Sequence, residues 1–139
     1  MIYYYKINCL PKNLKLIREF VTSALRNMPL SDIEINQLVL AVDEICTNLM
    51  VHGNHYNPNE FIEISISQFP EAIQFEIIDR SITDFDITQY KFSGMAKIVQ
   101  EKRKGGLGLL LVHKIMDKVE LKQENSQNTW RLLKTFSSK

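Results

Sequence analysis

The stretch Asn36 to Gly53, NQLVLAVDEICTNLMVHG, decides the architecture of this 139-residue chain. Leu38, Ala41, Val42, Ile45 and Leu49 recur at i, i+3, i+4 and i+7 spacing, which predicts a helix with one apolar stripe. At ~100° per residue, Glu44 and Asn48 project almost together at the margin of that stripe. A carboxylate placed there is expected to be half-buried, and so either paired or used by an adjoining pocket. Spacing alone fits a solvated helix edge as well. His52 follows one turn on, where the helix dipole favours histidine, and Gly53 supplies the stop.

Toward the N-terminus, Ile2 to Leu10 is rich in tyrosine and isoleucine and ends at Pro11, as suits an edge strand. Leu14, Ile17, Val21, Leu25 and Met28 predict a helix over Asn13 to Met28, closed by Pro29. Ser31 or Asp32 then caps the central helix, with Glu34 two or three positions on. Asp43, beside Glu44, is expected to be exposed.

Toward the C-terminus, Asn54 to Asn59 is loop by composition, and FIEISISQ and AIQFEIID alternate strictly, predicting a hairpin across a turn at Pro70. Asp79 has the parity of Ile73, Phe75 and Ile77, so it points inward at the end of its strand. An Asx-turn into the following loop is the alternative. Arg80 to Lys104 lacks a sustained period, apart from a possible short helix at Gly94 to Glu101, and has the length of a lid or binding loop.

Gly105, Gly106 and Gly108 come next, three of five glycines in the chain, directly after Lys102, Arg103 and Lys104. They precede an expected helix over Leu109 to Asp117, with Leu110, Leu111, Ile115 and Met116 available for its buried side. Open amides at a helix start beside clustered cations suit a phosphate better than a plain turn. Val119 to Gln123 and Thr129 to Phe136 are the last strands, with Trp130 and Leu132 on one face. Five strands and three main helices predict an α+β fold, a two-layer sandwich with helices on one face of a mixed, mainly antiparallel sheet.

One domain over residues 1–139 is expected from the length, and 17 basic against 16 acidic residues give no argument for direct nucleic-acid or membrane-surface binding. Cys9 and Cys46 lie in apolar contexts without metal-ligand spacing and are expected to be buried free thiols. The N-terminus lacks the features of a signal peptide, and no run approaches ~18 apolar residues. A cytoplasmic protein is expected.

A nucleoside triphosphate would explain the three polar devices together. Asp79 would accept from an exocyclic amine of the base, the Gly105 to Gly108 amides with Arg103 or Lys104 would hold phosphates, and Asn48 would ligate a bridging Mg²⁺. Glu44 would be left to orient or deprotonate a nucleophile. No P-loop of the form G-x-x-x-x-G-K-[ST] is present, so the site belongs to another architecture.

The run from Glu44 to Gly53, EICTNLMVHG, resembles the N-box of the GHKL, or Bergerat-fold, ATPases, and DEICTNLMVHG is most similar to their anti-sigma-factor serine kinase branch. Asp79-Arg-Ser-Ile stands in the place of that family's D-x-G box, and Gly105-Gly-Leu-Gly108 in the place of its second glycine box. Thr129 stands where the family has a strand threonine near the base-binding aspartate. Two positions depart from the pattern: Ser81 replaces the box glycine, and Asn128 precedes Thr129 where glycine is common.

The resemblance implies a kinase that binds ATP and Mg²⁺ and phosphorylates a serine or threonine of a small antagonist protein, regulating transcription by partner switching. It also implies a sigma-factor partner and a homodimer. By the same resemblance Glu44 is the general base, Asn48 the metal ligand, and Asp79, Ser81, Arg103, Lys104, Gly105, Gly106, Leu107, Gly108 and Thr129 line the nucleotide. The alternatives are a catalytically weakened or nucleotide-free binding module of the same fold, and a detached histidine-kinase-type ATPase domain.

Overall fold

Alternation of apolar and polar residues builds one sheet with a dry face and a wet face. The structure, a computed structural model, describes residues 2–50, 59–79, 106–124 and 127–136. Its strands are β1 (Ile2–Asn8), β2 (Phe61–Gln68), β3 (Ala72–Asp79), β4 (Lys118–Glu124) and β5 (Gln127–Thr135), in the order β1-β2-β3-β5-β4. All four pairings are antiparallel. The parallel component that a mixed sheet allows is therefore absent among the described strands. β1 is an edge, as its irregular alternation suggests.

Ile62, Ile64 and Ile66 of β2, Ile73, Phe75 and Ile77 of β3, and Trp130 and Leu132 of β5 are buried on one face. The same core takes in Ile17, Val21 and Leu25 from α1 (Asn13–Leu25) and Leu38, Ala41, Val42 and Ile45 from α2 (Asp32–Asn48). Leu109 and Val112 join it from α3 (Gly106–Ile115), with Met116 just beyond. Among the described residues, helices thus cover one face only, a two-layer sandwich. On the other face the polar positions persist, tied by Arg131 Nη2 to Glu76 Oε2 at 2.8 Å.

α2 packs against both α1 and α3, so it is the middle of the helix layer. Ser31 begins it with a full capping box: Ser31 Oγ accepts from the Glu34 amide at 3.1 Å, and Glu34 Oε1 accepts from the Ser31 amide at 2.8 Å. All five stripe residues, Leu38, Ala41, Val42, Ile45 and Leu49, are buried. Asp43 departs from its expected exposure, because it accepts from Arg18 of α1 at 3.0 Å and its side chain is 19% exposed.

The boundaries of α3 also differ from expectation. It starts at Gly106 rather than Leu109 and ends at Ile115 rather than Asp117. A helix start leaves its first amides unpaired in any case, so glycine there costs less than in an interior. At the other end the Met116 amide closes the last turn on Val112, while Asp117 N donates to Leu133 O at 2.8 Å and joins the sheet. Its buried residues are Leu109 and Val112, followed by Met116, with Leu110 and Leu111 partly exposed, because a run this apolar has no polar gap to fix its phase. No described helix is long and apolar enough to cross a membrane.

Candidate functional site

Asn48 is the last residue of α2 and is 4% exposed. Its Nδ2 donates to the backbone carbonyl of Glu44 at 2.8 Å, one turn back. With the donor end engaged, the side chain offers Oδ1, a neutral oxygen of the kind that hard cations accept. Among the described residues, no group of three or more His, Cys, Asp or Glu could hold a metal ion. Mg²⁺ is usually held by few protein oxygens in a shell completed by phosphate and water, and Asn48 Oδ1 suits such a place.

Glu44 is half-buried at the margin of the α2 stripe. Burial, and then the neighbouring Asp43 charge, raise its pKa above the ordinary 4.5. Such a carboxylate holds a proton more readily than a solvated one, the direction a general base needs to be useful near neutrality. Cys46, between Glu44 and Asn48, is fully buried and its thiol is pushed well up by that burial, with Asp43, Cys9 and Asp79 adding repulsion. Asp79, at the end of β3, is thus close enough to this part of α2 for its charge to be felt at Cys46.

Asp79 is fully buried at the end of β3, inward as its parity predicts. Directly across the ladder stands Asn128, 7% exposed, and beyond it Gln123 of β4, whose Nε2 donates to Asn128 Oδ1 at 3.1 Å. Thr129 is not brought to Asp79. It pairs with Ile78 and Lys122 on the opposite face, where its Oγ1 accepts from Gln127 at 3.2 Å. The strand period is the reason: Trp130 and Leu132 are inward, so Thr129 is outward and Asn128 inward. That parity was available in the sequence, and it sets Asn128 rather than Thr129 across the ladder from Asp79.

Gly106, Leu107 and Gly108 form the first turn of α3, whose orphan amides make it a ready anion site. Ser81, Arg103, Lys104 and Gly105 lie outside the described residues, as do His52, Gly53 and the possible helix at Gly94 to Glu101. The described parts of the site thus come from the C-terminal end of α2, the end of β3 and the start of α3.

Comparison with known proteins agrees with this layout. The histidine kinase-like ATPase domain family matches residues 7–134. The serine-protein kinase RsbW of Halalkalibacterium halodurans is 29% identical over 66% of this chain, an alignment that spans only 57% of that relative's length. RsbW of Oceanobacillus iheyensis is 30% identical over 86% of this chain and 77% of its own. A solved SiaB–SiaC complex from Pseudomonas aeruginosa shares the fold, with a TM-score of 0.60 at 13% identity over 96% of this chain and 89% of the other. Family match, element order and the α2 to β3 geometry agree, and the chain belongs to the histidine kinase-like ATPase domain family, in the branch that holds the RsbW serine-protein kinases and the anti-sigma F factors.

Proposed function

We propose that this chain is an ATP-dependent serine/threonine protein kinase that phosphorylates a small antagonist protein and thereby regulates transcription by partner switching. The observation that carries the reading is the orientation of Asn48, whose amide is bonded back to Glu44 O so that Oδ1 is the group left for a cation at the end of α2. Bound Mg·ATP would supply the transferable phosphoryl group and the charge neutralisation for its transfer.

The chain's own residues do the rest. Asn48 fixes the cation through Oδ1. Glu44, held proton-hungry by burial, would take the proton of the acceptor hydroxyl as the hydroxyl oxygen bonds to the terminal phosphorus and the bond from that phosphorus to its bridging oxygen breaks, releasing ADP. Asp79 accepts from the base amine, while the amides of Gly105, Gly106, Leu107 and Gly108, with Arg103 and Lys104, take the phosphates. Ser81, two positions after Asp79 in the sequence, is assigned to the nucleotide by the family resemblance. A sigma factor as second partner and a homodimer as the working unit complete the reading, supported by the likeness to the RsbW kinases and anti-sigma F factors.

The test is incubation of the purified chain with labelled ATP and small candidate antagonist domains. Label is expected on a serine or threonine of one such domain, and to be lost with Glu44→Gln. Nucleotide binding without transfer to any candidate would favour a regulatory binding module instead.

A further inference from the structure

Asp79, Asn128 and Gln123 stand opposite one another across three neighbouring strands, β3, β5 and β4, the first two buried and Gln123 exposed. β5 lies in the middle, so Asn128 has Gln123 on one side and Asp79 on the other. Directly opposed side chains in such a ladder have Cβ atoms about 5 Å apart. The Gln123 amide donates to Asn128 Oδ1, and this is the side-chain hydrogen bond that Asn128 makes among the described residues. With the oxygen of the carboxamide engaged by Gln123, its nitrogen, a pure donor, is the group left to offer.

We infer that Gln123 is a positioning residue that fixes the donor sense of Asn128, and that Asn128 and Asp79 together read the edge of a 6-aminopurine. Asp79 accepts from the exocyclic amine, and Asn128 Nδ2 donates to ring nitrogen N1. The inference rests on the reading of this pocket as a nucleotide site. Without the Gln123 bond the carboxamide is free to turn over, which would set its oxygen against both the Asp79 carboxylate and N1. Thr129 has no part in this, since its hydroxyl is on the other face.

Titration of the full chain with three nucleotides separates the possibilities: ATP, 1-deaza-ATP, which keeps the amine but replaces N1 by C–H, and purine riboside triphosphate, which keeps N1 but lacks the amine. The wild type is expected to bind 1-deaza-ATP about tenfold more weakly than ATP, the loss of one buried hydrogen bond. Asn128→Ala should bind the two alike, at the weaker level. Gln123→Ala should narrow the difference, and Gln123→Glu, which can only accept, should turn the amide over and abolish it. Gln123 is exposed, so these last two variants are expected to melt close to the wild type.

If none of the three nucleotides binds, the nucleotide reading itself fails. If ATP binds and the purine analogue binds more weakly, yet the 1-deaza-ATP ratio is the same in wild type and Asn128→Ala, the Asn128 assignment is overturned while the nucleotide site stands. An effect of Asn128→Ala with none from either Gln123 variant removes the positioning role of Gln123.

Discussion

Asn48 Nδ2 and the Glu44 carbonyl oxygen are 2.8 Å apart, a bond that ties the side chain of the proposed metal ligand to the backbone of the proposed base. The two roles proposed for α2 are therefore mechanically joined: the amide cannot rotate without losing a bond made to the turn that carries Glu44. Asn48→Ala is expected to remove most of the thermal stabilisation given by millimolar Mg·ATP, while the unliganded protein loses roughly 1–2 kcal/mol from the missing buried bond. Thermal melts with and without Mg·ATP measure both, and an undiminished ligand shift in the variant would remove Asn48 from the metal site.

Glu44 predicts a pH signature. A general base must be deprotonated, so phosphoryl transfer should rise with pH along a limb centred above 4.5, and Asp43→Asn should move that limb down by removing one of the two causes of the shift. The same raised pKa means that the folded chain binds this proton more tightly than the unfolded chain. Its contribution to stability is present at low pH and is lost as pH rises from the ordinary carboxylate range through the folded value. Glu44→Gln is thus expected to melt at or above the wild-type temperature at neutral pH while transfer is abolished, a combination that a merely misfolded variant could not give. Rate profiles and melts across pH check the two halves separately.

Thr129 and Asp79 should separate cleanly on substitution. Thr129→Val, on the polar outer face, is expected to leave ATP affinity within twofold of the wild type, whereas Asp79→Asn should weaken it by roughly tenfold or more as a charge-assisted acceptor is lost. Equilibrium titration decides this, and a large loss for Thr129→Val would return that residue to the site.

Asp117 joins the end of α3 to the sheet. Its Oδ2 accepts from the backbone and hydroxyl of Thr135 at 2.6 and 2.8 Å, and the backbone bond above all holds its carboxyl below the usual 3.8 against the opposing effect of burial, with lesser help from the hydroxyl bond and the Lys134 charge. A lowered folded value contributes stability above the ordinary carboxylate range, and that contribution is lost as pH falls through the folded value. Asp117→Ala should accordingly lower the melting temperature at neutral pH and converge on the wild type in strong acid.

Ser31→Ala removes half of the capping box and is expected to cost about 1 kcal/mol, a fall of roughly 3–6 °C in melting temperature for a domain of this size. Glu34→Gln can keep the reciprocal bond and should cost less. Differential scanning calorimetry gives both values.

Period made much of this molecule legible before any coordinates. The strict alternation in β2 and β3 gave their bounds and the inward aim of Asp79, and the stripe from Leu38 to Leu49 gave the central helix and the half-buried edge of Glu44. What failed did so for physical reasons. α3 is apolar almost throughout, so its register on the core had to come from packing against α2. The Arg18 partner of Asp43 is 25 residues away, beyond the reach of local pattern. Thr129 was drawn toward Asp79 by motif likeness, although the inward parity of Trp130 already placed it on the opposite side of the sheet. The Gln123 bond to Asn128 depends on the β4 to β5 register, which composition does not encode.

The capping box sits at the opposite end of α2 from Asn48. Seventeen residues separate these ends by about 25 Å at 1.5 Å per residue. With its root clamped by Ser31 and Glu34 and its flanks held by α1 and α3, the helix fixes the place of Asn48 through contacts made far from the residue itself.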